Sequence, residues 1–117
     1  RELYATLSNM GGFMQPQGHL QLTVNMVCGG LDPQTAIDMP RFCIPQGTQD
    51  GAVQFEIGIA EDILKELKDE KQHNMTSGVA GHNRQVFGKA QIIQKDPTTG
   101  VLWAGSDGRA DGCALGF

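Results

Sequence analysis

Apolar and polar positions alternate near the start of the chain and again near its end, with helical spacing between. Leu3-Tyr4-Ala5-Thr6-Leu7 reads as a short strand. Asn9-Met10-Gly11-Gly12 follows as a loop, because adjacent glycines interrupt regular structure. The next stretch fits two periods. Leu20, Leu22, Val24 and Met26 alternate with Gln21, Thr23 and Asn25, which favours a strand. Leu20, Val24 and Val27 also share one helical face, Pro16 suits a first helical turn, and Gly29-Gly30 suits a helix end. On periodicity alone the strand is preferred.

Asp32-Pro33 predicts a helix start, with Asp as N-cap and Pro at the first helical position. Ala36 and Ile37 give this helix its apolar side, and Pro40 ends it within two turns. Residues 45–51 read as a polar connection, and 52–57 alternate as a strand. Ala60, Ile63, Leu64 and Leu67 fall at helical spacing through Lys71. Glu61 and Lys65 are a favourable i,i+4 pair, and Glu66 with Glu70 a repulsive one. Residues 73–84 are polar and read as loop. Val86–Gln94 and Val101–Ala104 read as strands flanking a turn that contains Pro97 and Gly100, a hairpin. Trp103 is assigned to the core or to a sheet–helix contact. The order β-α-α-β-α-β-β predicts an α+β fold.

Composition sharpens this picture. A length of 117 residues allows one domain. The net charge of −4 and a pI near 5.2 supply no basic footprint for nucleic acid or anionic lipid. Sixteen glycines are about twice the usual share of ~7%, without a G-X-Y register, so the chain is rich in turns. Leu, Ile, Val and Phe make up about 23%, just above the ~20% below which disorder is expected, so the core is thin. No run approaches the ~20 apolar residues of a membrane span. Arg1-Glu2-Leu3-Tyr4 reads neither as a signal peptide nor as a translation start, and suggests a piece of something larger.

Candidate chemistry is sparse. Cys28, Cys43 and Cys113 form neither a disulfide framework nor a zinc motif and are expected to be small buried hydrophobes. His19, His73 and His82 lack metal-ligand spacing, so no metal and no cofactor are expected. Gly11-Gly12 is either a tight turn or a loop whose N–H groups stabilise an oxyanion. His19 beside it is either a general base or a solvated imidazole. Asp107, Arg109 and Asp111 form a charged cluster in a glycine-containing tail. It either locks two segments together through bidentate bonds, the favoured reading, or clamps a substrate carboxylate. The acids on the 60–71 helix are its solvated face.

Four blocks carry a resemblance. Asn9-Met10-Gly11-Gly12-Phe13-Met14-Gln15-Pro16-Gln17-Gly18-His19 resembles the Gly-Gly loop of the gamma-glutamyltranspeptidase family. Residues 31–42, ending in Pro40-Arg41-Phe42, resemble its next segment. Residues 86–93 and 100–112 resemble its closing strands and tail. The resemblance implies the C-terminal part of the small subunit, with residues 1–117 a single partial domain of an N-terminal nucleophile hydrolase. That fold is an αββα sandwich with antiparallel sheets. It also implies that 16–28 is helical, with Leu20, Val24 and Val27 facing the sheet.

The implied chemistry is acyl transfer from gamma-glutamyl, glutathione-like substrates through an acyl-enzyme on an N-terminal Thr. No Thr of this sequence stands in that context. Gly11 and Gly12 would supply the backbone oxyanion hole, and Met10, where many members have Ser-Pro before the glycines, would touch substrate. Gly108 stands where relatives often have Pro. The implied partners are the gamma-glutamyl substrate and the remainder of the same precursor. This chain alone is then expected to be inactive. Two other readings stay open: a stand-alone non-catalytic scaffold or partner subunit, and a fragment of a related beta-lactam side-chain acylase.

Overall fold

A computed structural model describes residues 2–48 and 51–116. Arg1 and positions 49–50 of the polar connection therefore lie outside the described residues. The elements run β1 (Ala5–Met10), α1 (Met14–Val27), α2 (Pro33–Asp38), β2 (Phe42–Cys43), β3 (Val53–Glu56), α3 (Glu61–Asp69), β4 (Met75–Val79), β5 (Lys89–Lys95) and β6 (Leu102–Ser106), with a 3-10 turn over Gly81–Phe87. They form two three-stranded sheets, ordered β1-β5-β6 and β2-β3-β4. The first is antiparallel throughout. In the second, β2 and β3 are antiparallel, while β3 and β4 run parallel with α3 between them in the chain.

Helix α1 overrules the strand that its alternation suggests. Its buried face is Met14, Gly18, Leu22 and Met26, spaced by four. Leu20, Val24 and Val27 do not face the sheet: Leu20 and Val27 are each 62% exposed. The reason lies in the polar positions. The Gln17 side chain donates to the Ile44 carbonyl and accepts from its N–H, at 3.1 and 2.8 Å. Gln21 does the same for Phe42, at 3.0 and 2.9 Å. Two side-chain amides one helical turn apart thus pair with Phe42 of β2 and with Ile44 just beyond it, as a neighbouring strand would. A free strand edge needs such cover. The pairing turns the glutamines inward and leaves the other apolar residues outside.

The remaining elements follow local chemistry more closely. The Asp32 carboxylate caps α2 by accepting from the N–H groups of Gln34 and Thr35, both at 3.0 Å. Asp96 closes the β5–β6 hairpin by accepting from Thr98 and Thr99 N–H. Three expectations are corrected. The 73–84 loop contains β4 and most of the 3-10 turn; β4 was illegible because Thr76, Ser77 and Gly78 show no alternation and the strand is held by backbone pairing. Val86 and Phe87 belong to that turn, so β5 starts only at Lys89. Trp103 is 54% exposed on β6, beyond the reach of the core.

The main core joins α1 and α2 to the first sheet through Leu22, Met26, Ala36, Ile37, Ala90 and Ile92. A second cluster of Met14, Cys43 and Phe87 bridges toward the other sheet. Cys43 is buried as expected, but Cys28 and Cys113 are exposed. The opposite face of the first sheet carries Thr6, Ser8, Met10, Gln91 and Ile93 and has no helix upon it among the described residues. No helix among the described residues is long and apolar enough to cross a membrane.

Gly18 shows how closely α1 meets β1: a Cβ there would lie 2.2 Å from Asn9 Nδ2. Gly18→Ala removes a helix-interior glycine, which alone would stabilise by up to about 1 kcal/mol. The clash reverses the sign, and a net loss of about 1–3 kcal/mol is expected in equilibrium denaturation. A more stable variant would refute this packing.

Candidate functional site

Strand β1 ends at Met10, and the chain reverses into α1 through Gly11 and Gly12, with φ of 141° and 60°. Both angles lie where a side chain is strained. A Cβ on Gly11 would also lie 3.0 Å from Met14 Cβ and 3.2 Å from Gly88 Cα. The Gly11 and Gly12 carbonyls accept from Met14 and Gln15 N–H, at 3.1 and 3.0 Å, and so start the helix. The amides of Gly11 and Gly12 themselves donate to no protein group among the described residues. Two N–H groups without a partner among the described residues thus sit in a tight turn at the head of a 14-residue helix. Beside the turn lies an open recess of about 520 Å³, bordered by Ser8, Met10, Gln15, His19, Lys89 and Gln91 among others. The structure therefore brings Met10 and His19 to the neighbourhood of the glycine loop.

Behind the loop is a buried ionic network. Asp107 pairs with Arg41 and Arg109, at 2.9 and 3.0 Å, and Glu56 pairs with Arg109 and Arg84. The side chains of Arg41, Arg109, Glu56 and Asp107 are essentially sealed from solvent. Three guanidinium groups against two carboxylates leave one positive charge in excess. The Arg41 guanidinium also donates to the Phe87 and Ile37 carbonyls, both at 3.0 Å, and makes a long 3.5 Å contact to Asn9 Oδ1. Its Nε is buried without a partner among the described residues. Asp107 accepts from Ala90 N–H at 2.8 Å and Glu56 from Arg41 N–H at 2.9 Å. The network therefore holds Asn9, Phe87 and Ala90, the residues that frame the Gly11–Gly88 approach.

The structure brings Arg109 and Asp107 together as a buried ion pair. Asp111 does not join them: it is exposed and makes no ion pair among the described residues. Arg41, read from sequence only as part of the family-like Pro40-Arg41-Phe42 end, and Glu56, at the end of a strand, complete the network. The only local signals were a charged residue ending an apolar strand and an arginine directly after a helix-ending proline.

Burial, the largest single influence on each carboxyl, opposes its charge. Hydrogen bonds from Arg109, Arg84 and the Arg41 N–H outweigh it at Glu56 and hold that carboxyl below its ordinary value. At Asp107 the Arg41 charge and the N–H groups of Arg109 and Ala90 do the same. Burial and the neighbouring Arg109 charge pull Arg41 down. Arg109, flanked by both acids, is raised despite its burial.

The two sheets and their helices are those of an N-terminal nucleophile hydrolase. The chain matches the gamma-glutamyltranspeptidase family over residues 1–117 and belongs to it. It is 32% identical, over 98% of its length, to the glutathione hydrolase-like YwrD proenzyme of Bacillus subtilis (strain 168), of which it spans 21%. It is 42% identical to a cephalosporin acylase from Bacillus halodurans, with a TM-score of 0.76, covering 90% of this chain and 18% of that one. The Helicobacter pylori gamma-glutamyltranspeptidase T380A mutant shares the fold at 22% identity and a TM-score of 0.77, over 93% of this chain and 55% of that one. The chain thus spans about a fifth of the first two relatives.

Both depressed carboxyl pKa values stabilise the fold above the unfolded-state range near 4, and that contribution is lost as pH falls through the lower folded values. Stability measured by denaturation at stepped pH is expected to decline below about pH 4. Glu56→Gln should cost about 3–5 kcal/mol at neutral pH and flatten that acid decline. An unchanged acid limb would show that the network does not carry it.

Proposed function

We propose that this segment supplies the oxyanion-stabilising loop of an acyl-transfer site that cleaves gamma-glutamyl amides. The observation that carries the reading is the pair of free amides at Gly11 and Gly12, in a turn that only glycine occupies without strain. In this reading a Thr hydroxyl from the remainder of the polypeptide attacks the gamma-glutamyl carbonyl, and its own α-amine takes the proton. A C–O bond forms and the carbonyl oxygen becomes an anion, which the two N–H groups stabilise. The C–N bond then breaks and the proton passes to the leaving amine; water or an acceptor amine next attacks the ester carbonyl, the C–O bond breaks, and the Thr hydroxyl regains its proton as the acyl group leaves. Met10, 60% exposed at the end of β1, would contact the substrate. The framing network makes the loop rigid, so its donors need no rearrangement as charge develops.

A second reading, cleavage of a beta-lactam side-chain amide, is favoured by the 42% identity to the Bacillus halodurans cephalosporin acylase. It uses the same loop and the same bond changes. Turnover of a cephalosporin side-chain amide, compared with gamma-glutamyl-p-nitroanilide, separates the two.

In the longer polypeptide that contains this segment, Gly11→Ala is expected to lower kcat by about 10²–10³-fold, because the added Cβ shifts the loop. Gly12→Ala, with no atom near its would-be Cβ, should cost less than about tenfold. A folded, fully active Gly11→Ala enzyme would remove the loop from the mechanism.

The 117-residue segment by itself should release no p-nitroaniline from gamma-glutamyl-p-nitroanilide. Clear turnover would show that the nucleophile lies within these residues.

A further inference from the structure

Lys89 opens β5 opposite Met10 in the β1 register, so both side chains belong to the uncovered face of the first sheet. Gly88, its neighbour, is the residue whose Cα lies against Gly11. Lys89 is half-buried, yet it has no carboxylate within ion-pair distance among the described residues. The recess it borders, together with Met10, Gln15 and His19, has no acid among its described residues, in a chain of net charge −4. Lys89 also lines an adjoining recess with Arg84, Arg109 and the exposed Asp111, which makes no ion pair with it. A half-buried ammonium that pairs with no carboxylate among the described residues, beside two free amides, favours an anion arriving from outside.

We propose that Lys89 binds a carboxylate carried by the acyl substrate and so selects anionic over neutral substrates beside the Gly11–Gly12 loop. This rests on the acyl-transfer reading above. The carboxylate could belong to the acyl group or to the leaving group, and the ammonium would recognise either by the same charge-assisted hydrogen bonds.

The test uses the processed full-length protein and two matched substrate pairs. Gamma-glutamyl-3-carboxy-4-nitroanilide against gamma-glutamyl-p-nitroanilide probes the leaving-group side. Glutaryl-p-nitroanilide against butyryl-p-nitroanilide probes the acyl side. Lys89→Met is expected to cut the carboxylate-to-neutral ratio of kcat/KM by about tenfold in one pair, which locates the anion, whereas Lys89→Arg should keep it. Lys89→Gln, measured alongside, prevents a folding defect in one variant from deciding the result. Wild-type ratios in both pairs for both neutral variants would overturn the role of Lys89 and leave acyl transfer standing. A wild-type protein that cleaves none of the four substrates would overturn the acyl-transfer reading, and the Lys89 assignment with it.

Discussion

Everything near the glycine loop depends on burying four charged side chains at one junction. Removing a single guanidinium or carboxylate from water costs several kcal/mol unless its partners are all in place. Arg41, Arg109, Glu56 and Asp107 meet that condition only together. Arg41 follows α2, Glu56 ends β3, and Asp107 and Arg109 follow β6. The segments that carry them are fixed by the demand that no charge be left alone. The junction ties the two sheets together where hydrophobic contact is thin, since the second apolar cluster has only Met14, Cys43 and Phe87 fully buried.

The glycine loop is a consequence of that junction as much as of its own residues. Arg41 reaches the Phe87 carbonyl and Asn9, and Asp107 grips the Ala90 amide. These contacts set how closely Gly88 approaches Gly11. Gly88 could carry no side chain there, because its Cβ would lie 2.5 Å from the Met10 carbonyl oxygen. The free amides of Gly11 and Gly12 therefore sit in a turn packed against Gly88 and Met14.

The surface left over carries several exposed large apolar residues. Phe13, Leu20 and Val27 line the outside of α1, and Ile93 and Leu102 lie on the uncovered sheet face. A chain that spans about a fifth of a relative's length is expected to present such faces, because the layers of a sandwich bury their apolar surface against one another.

The sequence by itself determined whatever a few neighbouring residues decide. Asp32-Pro33 started a helix, Asp96 to Gly100 closed a hairpin, and Gly11-Gly12 marked a turn that needs positive φ. The four motif blocks were enough to suggest the family. Tertiary structure decided the rest. The fate of α1 was settled by Gln17 and Gln21, which meet β2 over 20 residues away, so that Leu20 faces outward and Leu22 inward. Strand β4 exists because β3 offers it backbone partners. Arg41 and Glu56 became half of the central lock, while Asp111, the acid closer in sequence to Arg109, was left in solvent. Spacing along the chain records local propensity, but pairing between distant polar groups depends on which of them the fold removes from water.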